Sequence, residues 1–355
     1  MEELLNSLSL EEKIGQRFIF GTNTENIDII EKLIKERFIG GVILYKRNYK
    51  SYEEMLSVIK RLKLANKDNK VPLFIAIDQE GGKVNRMPKE IHNLKNIYDV
   101  SKKNPLFVND YAKIIGKMLN GLGINMNLAP VLDIYNNSDS GAVYKRCFYG
   151  NDFDISKLGE RYLKELEGEN VIGVLKHFPG HGITRFDSHH LVPYIYDYNS
   201  VLDKHIKPFN TLLNKADVVM TGHIVIRKLT GFYPASISDK FLNRFLRGND
   251  SFNGLIITDE INMLKRHPLY RFVFMKRAIQ STNDLLLIKI KSIKEGYKII
   301  KKHKRVNNDL LDESVLRILN IKDKYHISDD VDNLGLNIDE INNMIDDINK
   351  YFDLV

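Results

Sequence analysis

Eight short apolar runs, alternating with amphipathic helical stretches, leave few architectures open to these 355 residues. The runs fall at 17–21, 41–45, 73–78, 125–133, 173–177, 218–222, 255–259 and 284–288. Between them, apolar residues recur at helical spacing over 26–36, 52–66, 105–122, 155–169 and 203–215. An earlier helix begins near Glu11, with Ser9 as its cap and Glu12 three residues on. Alternating strands and helices of this number predict an α/β fold, a (β/α)8 TIM-type barrel.

The ends of the runs carry a second signal. Asp78, Asp133, Lys176 with His177, His223 and Asp259 each lie at or just past the carboxyl end of a predicted strand. Strands buried on both faces are usually apolar throughout, so a terminal charge carries a solvation cost that a site would justify. A barrel gathers those ends at one mouth, where a polar pocket is expected. Any one of these residues alone reads equally well as a helix cap or a loop hydrogen bond.

The densest chemistry lies between Lys176 and His190, KHFPGHGITRFDSHH, which holds four of the ten histidines. Pro179, Gly180 and Gly182 require an irregular loop there. A polar surface turn and a metal site are both weighed for it, but no HExxH or finger-type Cys/His spacing is present. The favoured reading is acid/base chemistry, with Asp187 orienting His189 and raising the basicity of its free nitrogen.

Composition narrows the class further. The net charge is +7, but the positive residues are spread along helical segments, and the densest part, 289–305, reads as a solvated amphipathic helix. No nucleic-acid motif accompanies it, so no nucleic-acid partner is expected. No apolar run is long enough to span a bilayer, and the N-terminus lacks a signal-peptide pattern, so no membrane association is expected. Cys147 is the single cysteine, read as a small inert core residue. A reducing, cytoplasmic location is expected.

Beyond Tyr325 the charge inverts: Asp329, Asp330, Asp332, Asp339, Glu340, Asp346, Asp347 and Asp353 face only Lys350. Ile338, Ile341, Ile345, Ile348 and Phe352 fall on one helical face there. The expected organisation is a barrel over 1–325 and an acidic helical extension over 326–355, in a monomer or weak dimer.

Seven motifs occur in order: FIAIDQEGGKVNRM, NLAPVLDIYNN, YKRCFYGND, VLKHFPGHGITRFDSHH, MTGHIVI, PASIS and LIITDEINM. Through them the chain resembles the bacterial β-N-acetylglucosaminidases of glycoside hydrolase family 3, in the single-domain form that acts in cell-wall recycling. The resemblance runs from about residue 8 to about residue 325. It implies a retaining exo-hydrolase that takes terminal GlcNAc from GlcNAc-MurNAc muropeptides, a small carbohydrate substrate, with no cofactor and no metal.

Carried over by motif, Asp259 matches the nucleophile, while His189 with Asp187 matches the acid/base pair. Asp78, Arg86, Arg146, Lys176 and His177 match the sugar-binding positions, and Met263 is a further lining candidate. The pattern is not complete. Lys83, Cys147, Gly222, Ile183 and Glu260 stand where Arg, Ser, Ala, Asp and Asp are common. Alternatives are a phosphorylase or another β-glycosidase built on the same site, a metal-dependent barrel hydrolase, and a catalytically silent sugar-binding protein.

Overall fold

The computed structural model describes every residue except 23, 136–142, 185–191, 249–251, 268–269, 271–272, 304–306 and 354–355. Eight parallel strands form one sheet: β1 (Phe18–Thr22), β2 (Gly41–Leu44), β3 (Phe74–Ile77), β4 (Met126–Asn127), β5 (Ile172–Phe178), β6 (Val218–Thr221), β7 (Leu255–Thr258) and β8 (Leu286–Ile290). β8 pairs with β1 from Phe18↔Leu286 to Thr22↔Ile290. The bridge Ile257↔Leu285 joins β7 to the start of β8, so the sheet closes on itself. The predicted (β/α)8 barrel is the observed fold.

Period-2 alternation sorts the strand residues. Ile19, Ile43, Phe74, Ala76, Met126, Ile172, Val174, Val218, Met220, Leu255, Ile257 and Leu287 fill the barrel interior. The residues between them face the helical layer, where Phe18, Phe20, Val42, Ile75, Leu175, Val219 and Ile256 join the larger outer core. Helix Asn308–Lys324 closes the amino-terminal end by adding Ile318, Ile321 and the following Tyr325 to the interior cluster.

One set of buried charges lies at that closed end. Lys322 Nζ donates to Gln16 Oε1 (2.8 Å), Gly40 O (3.0 Å) and Pro72 O (2.6 Å). Asp284 accepts from Arg247, from Arg317 Nε (2.9 Å) and from the Ile256 amide (2.7 Å). Arg17 was expected to open the first strand. It lies just before β1, fully buried, and donates to the carbonyls of Ile279, Asn283 and Asp284.

Helix boundaries follow the predicted spacing closely. The Ser9 capping box forms on both sides, with Ser9 N to Glu12 Oε2 at 2.7 Å and Glu12 N to Ser9 Oγ at 3.2 Å. Two expectations are corrected. The run at 125–133 yields a strand of only two residues, because Pro130 has no N–H to continue the ladder. Side chains replace part of it: Asn125 and Asn127 each bond β3 or its continuation through both amide atoms, at 2.9–3.0 Å. The helix expected over 203–215 breaks into a π-helical turn Val201–His205 and a short helix Lys207–Leu212, since Pro208 withholds the N–H owed to Lys204.

The acidic segment ends in a helix, Ile338–Asp353, whose Ile341, Ile345 and Ile348 are buried. It lies against helix Phe107–Leu122, with the Phe107 and Phe352 ring centroids 6.0 Å apart.

Candidate active site

Five of the eight strands continue their inward-facing series by one more step toward the open mouth, and there the series turns polar. Tyr45 follows Ile43, Asp78 follows Ala76, Lys176 follows Val174, Asp259 follows Ile257, and Lys289 follows Leu287, each by two positions. All five line one cavity of about 730 Å³. Its floor is apolar, made by Ile43, Leu128, Met220 and Leu287, and its walls include Arg86, Arg146, His177, His181, Glu260 and Met263. A volume of this order suits a small ligand.

The best-defined charge network centres on Glu80, at the end of the DQE run after β3. Its carboxylate accepts from Arg146 Nε and Nη2, both at 2.8 Å, and from Lys176 Nζ at 2.6 Å. Lys176 also donates to Asp78 Oδ1 at 2.9 Å. Glu80 and Lys176 are almost fully buried. Burial works against the Glu80 carboxylate, but Arg146 and Lys176 outweigh it and hold the group well below the usual carboxylate range. For Lys176 burial is again the largest influence, and Asp78 and Glu80 overcome it to keep the ammonium form. Asp78 is the more exposed carboxylate. Arg86 Nη2 stands 3.9 Å from its Oδ2.

The backbone that presents Asp78, Glu80 and Arg86 is itself pinned. The Gln79 amide donates to Asn127 Oδ1 (3.0 Å) and Gln79 Oε1 accepts the Arg86 amide (2.9 Å). Tyr49 OH donates to the Arg86 carbonyl at 3.0 Å. Gly81 and Gly82 turn with φ of +80° and +54°, a left-handed region that favours glycine. Arg86 Nε is buried and has no hydrogen-bond partner among the described residues.

A second cluster joins the mouth to the loop after β5. His177 Nδ1 lies 2.7 Å from Asp133 Oδ2, and Asp133 Oδ1 accepts the His181 amide at 2.5 Å. Burial of Asp133 is offset by His177 and His181, so its pKa lies below the ordinary value. An Asp133 carboxylate can only accept, so the proton of this bond is on His177 Nδ1. His181 is fully buried, and burial pushes it down to about 4. Gly182 is required where it stands: a Cβ there would lie 1.9 Å from the Ile134 carbonyl oxygen.

On the opposite wall, the Asp259 amide donates to Thr221 O at 3.0 Å, and Asp259 Oδ1 accepts the Glu260 amide at 2.7 Å. Glu260 turns back to accept from the Asn262 and Lys289 amides, and burial raises its pKa. His223 is fully buried. Its Nε2 lies 3.0 Å from Glu260 O and its Nδ1 2.6 Å from Ser236 Oγ, so it braces the segment after Asp259 and does not line the cavity.

Of the predicted site residues, Asp78, Arg86, Arg146, Lys176, His177 and Asp259 line the one cavity. Asp187 and His189 lie outside the described residues. Three residues were missed: Glu80, Tyr45 and Lys289. Lys289 had been assigned to a solvated helix, but β8 runs through it and helix Ile293–His303 begins later. Continuing each strand's alternation by one step would have found Tyr45 and Lys289. Cys147 is buried as expected, and burial pushes its thiol up to about 12.

A closed barrel with carboxylates and cations converging on a pocket at the carboxyl ends of its strands is the architecture of a (β/α)8 enzyme. Residues 9–321 match the glycosyl hydrolase family 3 N terminal domain, and the chain belongs to that family of glycoside hydrolases. It is 32% identical over 255 residues to "Beta-hexosaminidase A" of Pseudoalteromonas piscicida, covering 66% of this chain but 43% of that protein. It is 29% identical over 239 residues to a "Beta-hexosaminidase" of Idiomarina loihiensis, covering 66% of this chain and 71% of that one. Among solved structures, a glycoside hydrolase family 3 β-N-acetylglucosaminidase from a Paenibacillus species aligns with a TM-score of 0.86 at 27% identity, over 96% of this chain and 68% of that chain.

Proposed function

We propose that this protein is a retaining exo-β-N-acetylglucosaminidase that removes terminal GlcNAc from peptidoglycan-derived muropeptides. In this reading residues 1–325 are the catalytic barrel and 326–355 an appendage to it. The observation that carries the reading is the convergence of Asp259 with Asp78, Arg86, Arg146, Lys176 and His177 on one cavity. The names of the relatives support the sugar.

Asp259 attacks the anomeric carbon as the glycosidic oxygen leaves, giving a covalent glycosyl-aspartate. The imidazolium of His189, supported by Asp187, protonates the departing oxygen. The neutral ring then takes a proton from water, which displaces Asp259 and returns the β-configured sugar. A neutral imidazole does not repel the carboxylate nucleophile across the site, and its pKa lies near neutrality before tuning.

Asp78 accepts from sugar hydroxyls in this reading, while Arg86, Lys176 and His177 supply polar contacts to hydroxyls or the acetamido carbonyl. The unpartnered Arg86 Nε is one donor that a sugar oxygen would satisfy. Arg146 is committed to Glu80, which favours a positioning role for it.

The test is release of 4-nitrophenol from its β-N-acetylglucosaminide, with and without chelator and with added phosphate. Metal-independent hydrolysis that is lost in Asp259→Ala supports the reading. Turnover indifferent to Asp259 overturns it, and a glycosyl phosphate product would replace the hydrolase with a phosphorylase.

A further inference from the structure

The carboxyl-terminal helix Ile338–Asp353 lies outside the segment that matches the family domain, and it carries two stripes with different tasks. The apolar stripe, Ile341, Ile345 and Ile348, is buried in the core. Beside it runs a polar stripe, Asn342, Asp346 and Asn349, at spacings of four and three that share a helix face. This stripe meets the backbone of the loop that follows β3.

The contact has an unusual form for a helix. The Asn342 amide accepts from His92 N at 2.8 Å and donates to Glu90 O at 2.9 Å. The Asn349 amide accepts from Lys95 N at 3.0 Å and donates to Asn93 O at 2.9 Å. Each side chain thus satisfies one N–H and one C=O of the loop, as a neighbouring β-strand would. Between them, His92 Nδ1 lies 2.9 Å from Asp346 Oδ1.

The loop passes this restraint inward. The amide of Gly82 donates to Leu94 O at 2.8 Å, and Asn93 Nδ2 donates to Gly82 O at 2.7 Å. Tyr111 OH is shared between the carbonyls of Lys95 (2.9 Å) and Glu80 (2.8 Å). Glu80 holds Arg146 and Lys176, and Arg86 lies on the same loop at the cavity wall. Two turns of helix are therefore tied, through a chain of hydrogen bonds, to the carboxylate that holds two of the cavity's cations.

We infer that Asn342 and Asn349 are positioning residues, which set the loop at 79–96 in its ligand-binding conformation from a helix outside the barrel. The proposal rests on the glycosidase reading for its consequence and on geometry for its mechanism. Fixing Arg86 and Glu80 before the sugar arrives strengthens binding in ground state and transition state alike, so its loss raises KM more than it lowers kcat.

The test is the double variant Asn342→Ala/Asn349→Ala in the full chain, beside Asn343→Ala on the exposed face of the same helix. Two readouts decide: amide hydrogen exchange across 82–95, and KM and kcat on the aryl β-N-acetylglucosaminide. The expected result is faster exchange at 82–95 with the strands still protected, and KM raised about 3–10-fold at kcat within about twofold. Asn343→Ala should match the wild type. If the double variant does not fold, Asn349→Ala alone should give the same pattern at smaller size.

Unchanged exchange at 82–95, or a fall in kcat at unchanged KM, would overturn the proposal. A wild type without turnover would refute the glycosidase reading, while the exchange experiment would still decide whether the helix sets the loop.

Discussion

Glu80 and Asp259 are both carboxylates at the barrel mouth, yet they stand in opposite relations to their surroundings. Glu80 is sealed between Arg146 and Lys176, whereas Asp259 faces the cavity with one oxygen on a backbone amide. Removing Glu80 takes a carboxylate away from two largely buried cations. Glu80→Ala should therefore lower unfolding free energy by about 3–5 kcal/mol, read from equilibrium urea denaturation. Asp259→Asn should leave the urea midpoint within the range of a neutral substitution and abolish hydrolysis. If Asp259→Asn instead unfolds the chain and Glu80→Ala does not, the two roles are reversed.

Helix Asn308–Lys324 and the eight strands divide the barrel between stability and chemistry. The helix plugs the amino-terminal end with Ile318, Ile321 and Tyr325, while the charged residues of the cavity cluster toward the carboxyl ends of the strands and the loops beyond them. Ile318 is fully buried. Ile318→Ala should cost about 2–5 kcal/mol in stability, with KM on the aryl glycoside unchanged at temperatures where the variant is folded. A changed KM at full folding would show that the plug and the mouth are coupled.

Acid should unfold the whole molecule in two stages. His181 is buried neutral with its folded pKa pushed down to about 4, from an ordinary value near 6.5. A depressed folded pKa gives stability that is present above the unfolded value and lost as pH falls through the folded one. Its window thus runs from pH about 6.5 to about 4, and the loss is on the order of 3 kcal/mol. Glu80 and Asp133 are also held below their ordinary values, so their contribution stays intact above pH about 4 and declines below it. Urea midpoints at pH 7, 5 and 3 should fall at both steps, and His181→Asn should shrink the first, which His205 and His303, also pushed down by burial, share. A flat profile from pH 7 to 4 would show that His181 is not buried neutral in solution.

Much of this was legible before any coordinates. Strand period and helix period are local properties of the chain, so the eight strands, the capping box at Ser9 and the polar strand ends Asp78, Lys176 and Asp259 could be read directly. The family motifs then assigned roles to those positions. Other features depended on which segments meet in space. Lys289 and Tyr45 face the cavity because each lies two positions after an inward-facing residue, Leu287 and Ile43, and which face of a strand turns inward is set by the closed barrel. His223 looked like a mouth residue, but its ring is used by Ser236 and Glu260 from distant parts of the chain. The apolar face of the last helix was evident in its sequence, whereas the pairing of Asn342 and Asn349 with the loop about 250 residues earlier was not. The sequence by itself determined the barrel and the chemistry available at its mouth, because both follow from short-range pattern. Only the tertiary structure decided which charges neutralise one another and which remain for a ligand, because that depends on contacts whose partners are far apart in the chain.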